Sequence, residues 1–376
     1  MKKSINISVD ANSFPNKSIP LEYQNLLNLK TIDVNSMLIH TALWTRPPLK
    51  TGFHLSDCWA WLRYISAFSA KSSDLRLRKE WLDIDPHQKT ILSDEIGVGS
   101  TTFTLIDTLG FQGFVDSIYL LKTLKLTHLI HNKSKRGLGK TPDYIGLDKH
   151  GKIVVLECKG TQNSVKDLYK AIQRGITQKE SLTKNTIGYI NMGLVGGIFI
   201  PQFNNKNNAL IHFSDPKYDN FEEIISTVPS QEVVKAIIRG AIIKQLYLAS
   251  ANNAANELSN YTIDREFSLS QRACDEIKFL SEDTSIINYS IKNPLKGGVS
   301  HIEFKARIEQ HIIDTIKIIT QSTNDSLALT NNLLTDNGGY NRVVDYVAWK
   351  SIELENGGEI STGHGFNFSL NYKLEK

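Results

Sequence analysis

The chain has little cysteine. Its 376 residues hold three, Cys58, Cys158 and Cys274, far apart and never in a C-x-x-C pair. That excludes a disulfide framework and a cysteine zinc finger, and it suits a reducing compartment. Long apolar runs are also missing. A membrane span needs ~20 apolar residues, and the best candidate, Gly193 to Pro201, is short and interrupted by glycine. The opening MKKSINISVD has two lysines but no apolar core of a secretory signal, so the expected address is the cytoplasm, with no membrane partner. There is no internal repeat, no G-x-S-x-G elbow and no Rossmann fingerprint. What is present, 40% hydrophobic and 22% charged residues, is ordinary for a soluble globular chain, long enough for two domains or one large domain with elaborations.

Charge is unevenly spread. The whole chain carries a formal +4, yet Leu121 to Ile190 holds 14 lysines and arginines against 5 acids, a local +9 that leaves the remainder at −5. A basic block of seventy residues suits a polyanionic partner, because phosphates attract it and counterion release drives binding. A solvated lysine-rich surface would have the same composition, so the chemistry inside the block has to decide.

Local patterns place the elements. Ser56 is a candidate N-cap for a helix carrying Cys58, Trp61, Leu62, Ile65 and Phe68 on one face. A second helix is expected from about Asp94 to Leu109, with Ser93 at its start and Gly110 at its end. Strand-like apolar segments follow between Phe114 and Ile130, then a basic loop from Lys133 to Lys140. Pro142–Leu147 and Lys152–Cys158 read as two strands joined by Asp148-Lys149-His150-Gly151, a β-hairpin. A helix over Ser164–Lys184 has Val165, Leu168, Ile172 and Ile176 on its apolar face. Leu194–Pro201 and Ala209–Phe213 read as strands. Further on, Ser230–Ala251 and His301–Gln321 are expected helices, the second with Phe304, Ile308, Ile312, Ile316 and Ile319 on one side. Beyond Asn337-Gly338-Gly339, the alternation of Phe366, Phe368, Leu370, Tyr372 and Leu374 marks a strand.

The hairpin carries the chemistry. Glu157 and Lys159 lie two apart on its second strand and so share a face. The short turn brings Asp143 opposite residue 156 or 157. Two carboxylates this close repel unless something lies between them, and a divalent cation resolves the repulsion. Mg²⁺ takes carboxylate oxygens, keeps several waters and binds substrate phosphates. A lysine beside it can orient or help deprotonate a water and offset transition-state charge. This is equipment for metal-assisted hydrolysis of a phosphodiester.

Pro142-Asp143, thirteen residues, then Glu157-Cys158-Lys159 resembles the PD-(D/E)xK nuclease superfamily, over about a third of the chain. The resemblance implies a restriction-endonuclease-like core: helix, three-strand meander, helix and further strand, in a mixed central sheet flanked by helices. That core would span 93–215, between an N-terminal elaboration (1–92) and a mainly helical C-terminal region (229–376) ending in strands. By this likeness Asp143 and Glu157 are metal ligands for Mg²⁺ or Mn²⁺, the backbone carbonyl of Cys158 a further ligand, and Lys159 the catalytic lysine. Many members add an acid from the first core helix. Glu95 is the candidate, with Asp94 its neighbour and with Gly97 and Gly99 allowing close approach to the sheet; an ordinary acid favoured by the helix dipole accounts for Glu95 equally. Gln173 matches a glutamine some members place in the helix after the lysine. The resemblance implies DNA, less so RNA, as substrate, products bearing a 5′-phosphate, and a setting such as restriction or antiphage defence. Lys135, Arg136, Lys140, Lys166, Lys170, Gln173 and Arg174 are then candidate nucleic-acid contacts. A homodimer or a partner protein bound through the C-terminal region fits the same picture.

Other motifs in the chain fall short of a site. Gly137-Leu138-Gly139-Lys140-Thr141 has Ser134 where a phosphate-binding loop needs its first glycine, and a strand follows where a helix is required. His128 and His131 lack a third ligand. Cys158 should point away from Glu157 and Lys159, as a small buried residue. Two rival functions remain open: an inactive nuclease fold that binds nucleic acid, and a scaffold whose C-terminal helices bind a partner.

Overall fold

Strands and helices alternate for most of the chain. In chain order, β1 (Lys2–Ser4) and β2 (Asn6–Val9) precede α1 (Leu21–Asn28), β3 (Thr31–Asp33) and α2 (Val34–Thr45). The long helix α3 (Pro86–Leu109) leads to β4 (Gly113–Asp116), α4 (Ser117–Thr123), β5 (Tyr144–Leu147), β6 (Ile153–Thr161), α5 (Val165–Glu180), β7 (Ile190–Phe199) and β8 (Leu210–Ser214). Then come α6 (Ser230–Leu248), α7 (Asn252–Ser259), α8 (Gln271–Phe279), β9 (Thr284–Ser290), β10 (Val299–Ile308), α9 (Ile312–Thr320), β11 (Lys350–Leu354), β12 (Gly357–Ser361) and β13 (Phe366–Leu374). The computed structural model describes residues 1–14, 16–45, 64–129, 141–180, 190–215, 225, 228, 230–261, 267–290, 292, 299–320 and 348–375. The helix expected after Ser56 falls largely outside these residues, as does the basic loop 133–140.

The fold is α/β, with a mixed six-stranded sheet in the order β2-β8-β7-β6-β5-β4. Strands β4, β5 and β6 form an antiparallel meander. Helix α5 then crosses over, so that β7 runs parallel to β6, and β8 returns antiparallel. Ile153 to Leu156 are buried on both faces, as a central strand with parallel pairing requires. Neighbouring glycines of β7 show which helix covers which face. A side chain at Gly196 would strike Thr101 of α3, and one at Gly197 would meet Leu168 of α5 at 2.9 Å. Successive strand residues point to opposite faces, so α3 and α5 sandwich the sheet.

Helix α3 starts earlier than Ser93. Asp85 caps it, its carboxylate accepting from the His87 N–H at 2.8 Å, with Pro86 in the first turn. A capping aspartate followed by proline is the stronger start signal. Ser93 lies inside the helix, its hydroxyl donating to the Lys89 carbonyl at 2.8 Å. Gly110 ends the helix at φ +72, as expected. The segment after Phe114 is a strand only to Asp116; Ser117–Thr123 is helical.

The C-terminal region holds more sheet than expected beside its helices α6 to α9. It contains a second, five-stranded antiparallel sheet, β11-β12-β13-β10-β9. The expected helix over His301–Gln321 is strand β10 followed by the shorter helix α9. Phe304, Ile308, Ile312 and Ile316 recur every four residues, a spacing that fits one helix face. Ile302 and Ala306 are buried as well, so the true period in this stretch is two. Strand β13 lies where the Phe366–Leu374 alternation put it.

Candidate active site

The β5–β6 turn is built locally. Asp148 accepts from the His150 and Lys152 N–H groups at 2.8 and 2.9 Å, and Gly151 takes φ +74, which costs an ordinary side chain strain. This sets the register Tyr144↔Leu156 and Leu147↔Ile153, so Asp143, one residue before β5, stands opposite Glu157. Its carboxylate accepts from the Cys158 N–H at 2.9 Å, drawing it to the end of the buried part of β6. There the Lys159 ammonium donates to Glu157 Oε1 at 2.8 Å. Asp143 is exposed, Glu157 is 7% exposed, and Lys159 is intermediate. Burial works against the charge on Lys159, but Glu157 and Asp143 together outweigh it and hold the ammonium above the ordinary lysine range. The three residues therefore share one electrostatic neighbourhood at the rim of a buried strand.

The lysine is held from two sides. Its stem runs over Gly197, where a side chain would meet Lys159 Cβ at 3.1 Å, and under Gly175 of α5, where one would lie 3.7 Å from Lys159 Cε. On the other face Gly97 of α3 meets the Lys159 backbone: an added Cβ would sit 2.8 Å from its carbonyl carbon and oxygen. Gly97 thus gives the close approach to the sheet that the sequence suggested. Gly99 does not; it faces α2, where a side chain would overlap Thr41. Past the lysine, Gln162 donates to the Lys89 carbonyl at 2.8 Å and to Ser93 at 2.9 Å, and accepts from Gln202 at 2.8 Å. That polar chain ties α3 to the end of β6, and motif spacing did not reveal it.

Asp94 and Glu95 of α3 reach this region by different routes. Glu95 accepts a hydrogen bond from the Tyr64 hydroxyl, and its charge acts on Tyr144, next to Asp143. Asp94 is exposed. Burial of part of its carboxyl raises its pKa, and the Lys159 charge opposes the rise. The Asp94 charge is thus coupled to the lysine, while Glu95 bonds to Tyr64 and acts on Tyr144. All donors at the hairpin are oxygens, Asp143 and Glu157 carboxylates with the Cys158 carbonyl, a set that fits a hard divalent cation. Among the described residues, no group of three His, Cys, Asp or Glu side chains is placed to hold an ion.

The Cys158 side chain lies on the opposite face, against Thr101. Burial, with the Asp143 and Glu157 charges, pushes its thiol well above the ordinary range, so it has no thiolate to offer. Lys166, Lys170, Gln173 and Arg174 are exposed on the outer side of α5; Lys170 pairs with Asp167 at 3.4 Å. Lys135, Arg136 and Lys140, with His131 and the glycines at 137 and 139, lie outside the described residues.

Beneath the hairpin is a buried cation that sequence reading missed. Lys244 of α6, 1% exposed, pairs with Asp116 at 2.6 Å, donates to the Trp44 carbonyl at 2.8 Å and lies 5.3 Å from the centre of the Tyr144 ring. Tyr144 donates to the same carbonyl at 3.0 Å. The Ser117 N–H donates to the Asp143 carbonyl at 3.2 Å. Ser117 of α4 thus holds the Asp143 backbone, and residues of α2, β4 and α6 gather around its neighbour Tyr144. Among the described residues no helix is long and apolar enough to cross a membrane. No family model matches this chain, and no curated protein or solved structure matches it either.

Proposed function

We propose that the protein is a metal-dependent nuclease with a restriction-endonuclease-like core, hydrolysing phosphodiester bonds of DNA. One observation carries the reading: Asp143 stands across the hairpin from Glu157, with Lys159 in the field of both, at the exposed end of a buried central strand. The order of α3, the β4–β6 meander, α5 and the parallel strand β7 supports it, as does the basic outer side of α5.

Asp143 and Glu157, with the Cys158 carbonyl, would hold Mg²⁺ or Mn²⁺, the rest of the coordination sphere coming from solvent and the substrate phosphate. When bound, the ion supplies Lewis-acid polarisation of the phosphate and a more acidic water. Lys159 is held as a charged donor. Its part is to orient the attacking water and to balance negative charge gathering on the phosphoryl oxygens. Gly97, Gly175 and Gly197 let both helices close on it, which fixes where Nζ can reach. The lysines and Arg174 of α5 offer charge to the nucleic-acid backbone without reading sequence. Activity against foreign DNA, as in restriction or antiphage defence, is the setting we favour.

The test is cleavage of supercoiled plasmid, linear duplex, single-stranded DNA and RNA with Mg²⁺, Mn²⁺ or EDTA, comparing wild type with Asp143→Asn and Lys159→Met. Metal-dependent cutting lost in both variants supports the reading. Cutting that survives both substitutions overturns the site. Salt-sensitive DNA binding without cutting favours an inactive module.

A further inference from the structure

Helix α6 carries three buried cations, and among the described residues Lys235 and Lys244 each pair with an acid while Arg239 does not. Lys244 has Asp116 and the Trp44 carbonyl. Arg239, five residues earlier and 2% exposed, has neither kind of partner for two of its nitrogens. Its Nε and Nη2 make no hydrogen bond among the described residues. One face of its guanidinium lies over the Tyr261 ring, 4.6 Å from the centroid, and Tyr261 is anchored by its hydroxyl donating to the Thr320 carbonyl at 3.0 Å. The side chain is thus held in place while its hydrogen-bonding edge is unused.

The identity of the two nitrogens matters. Nε and Nη2 form one side-on edge of the guanidinium, with two parallel N–H bonds. That edge is the geometry that grips two oxygens of one oxyanion. A guanidinium does not shed its proton inside a protein, so a buried one without an anion carries a large desolvation penalty. Lys235, one helical turn before Arg239 and also buried, adds positive charge to the same side of α6. Glu232 offsets part of it, 3.6 Å from the Lys235 ammonium.

We propose that Arg239, stacked on Tyr261 and flanked by Lys235, is the anchor of an internal oxyanion site that takes a small molecule through a phosphate or carboxylate group. The burial of the arginine favours a small ligand over a polymer. The site is separate from the hairpin carboxylates and does not depend on their role.

The test uses the full chain in EDTA, so that the hairpin carboxylates bind no metal. Thermal denaturation and calorimetric titration are run with inorganic phosphate, AMP and succinate at matched ionic strength, on wild type, Arg239→Lys and Arg239→Met. At ligand near a hundredfold over Kd, a saturable rise in Tm of about 3 °C is expected for wild type. The rise should vanish in Arg239→Lys, which keeps the charge and loses the fork. Response to phosphate and AMP assigns a phosphate group; response to succinate alone assigns a carboxylate. No saturable response to any of the three overturns the site, as does a response that Arg239→Lys retains. Arg239→Met, which removes a buried charge, remains folded and unresponsive if the proposal holds.

Discussion

At the scale of single residues, Asp143, Glu157 and Lys159 differ in what they can lose. Asp143→Asn keeps an acceptor oxygen for the Cys158 N–H, so its stability should stay within about 1 kcal/mol of wild type. Under the proposed mechanism, its cleavage rate and that of Lys159→Met should fall about 10²–10⁴-fold. Plasmid cleavage beside urea denaturation separates the two effects; a stability loss matching the activity loss would reduce both residues to structural roles. Gly97 tests packing instead of charge. Its missing Cβ lets α3 rest on the Lys159 carbonyl, and backbone cannot step aside as a flexible side chain can. Gly97→Ala should cost about 1–3 kcal/mol by overpacking, read as a lower urea midpoint with unchanged slope. Gly160 is tighter still, since a side chain there would overlap the Ser93 carbonyl.

At the scale of elements, α6 is the most informative. It is an almost wholly buried helix, and it places Lys244 against β4 and β5. Burial draws the Lys244 pKa down, and Asp116 acts against that. Removing Asp116 strands a fully buried ammonium, so Asp116→Asn should destabilise by about 3–5 kcal/mol, and Lys244→Met should cost less because the Asp116 side chain keeps contact with solvent. Lys244→Met with Asp116→Asn should cost clearly less than the sum of the single changes, because the double variant strands no charge. Equilibrium urea unfolding of the four proteins gives the coupling directly; strict additivity would mean that the 2.6 Å contact contributes nothing. Strand β10 teaches a different point. Its apolar residues satisfy a four-residue spacing and a two-residue spacing together, and pairing with β9 and β13 selects the strand.

At the scale of the whole molecule, one hydrophobic core runs from the N-terminal strands through the central sheet to the C-terminal sheet. Its centre is aromatic and polar at once. His40 packs between Phe103 and Trp349, the Trp44 indole donates to His40 at 3.2 Å, and Trp349 donates to the Gln112 carbonyl at 3.2 Å. Asn35 donates to the Gly357 carbonyl at 2.6 Å, joining α2 to the second sheet. Burial lowers the pKa of His40 to about 3 and that of His364, beside Gln245, to about 4. Between pH 6.5 and those values the unfolded chain binds protons that the folded chain refuses, so stability is intact above pH 6.5 and falls on acidification. The expected loss is about 2 kcal/mol per histidine by pH 5. Urea midpoints at pH 7 and pH 5 measure it, and His364→Gln should flatten the slope by one histidine's share. Asp215, which burial raises to about 7, takes up a proton over the same range and offsets part of this loss, so the readout is wild type against His364→Gln; identical pH dependence in the two would show that the folded protein protonates His364.

The sequence by itself determined what short-range chemistry decides. The hairpin, with its aspartate-and-glycine turn, the amphipathic face of α5, and the alternation of β13 all follow from neighbours a few residues apart. The placing of Asp143 opposite residue 156 or 157 follows too, because a short turn sets a register. Tertiary structure decided everything that depends on partners far along the chain. It set β10 as a strand, placed the Asp94 charge near Lys159 and turned Glu95 toward tyrosines. It also buried Lys244 against an acid 128 positions away while leaving the Arg239 fork without a hydrogen-bond partner among the described residues. A lysine or arginine in an apolar helix reads in sequence as a solvated charge; only the packed fold shows that water has been removed from it, and that is what makes its partner, or the lack of one, energetically decisive.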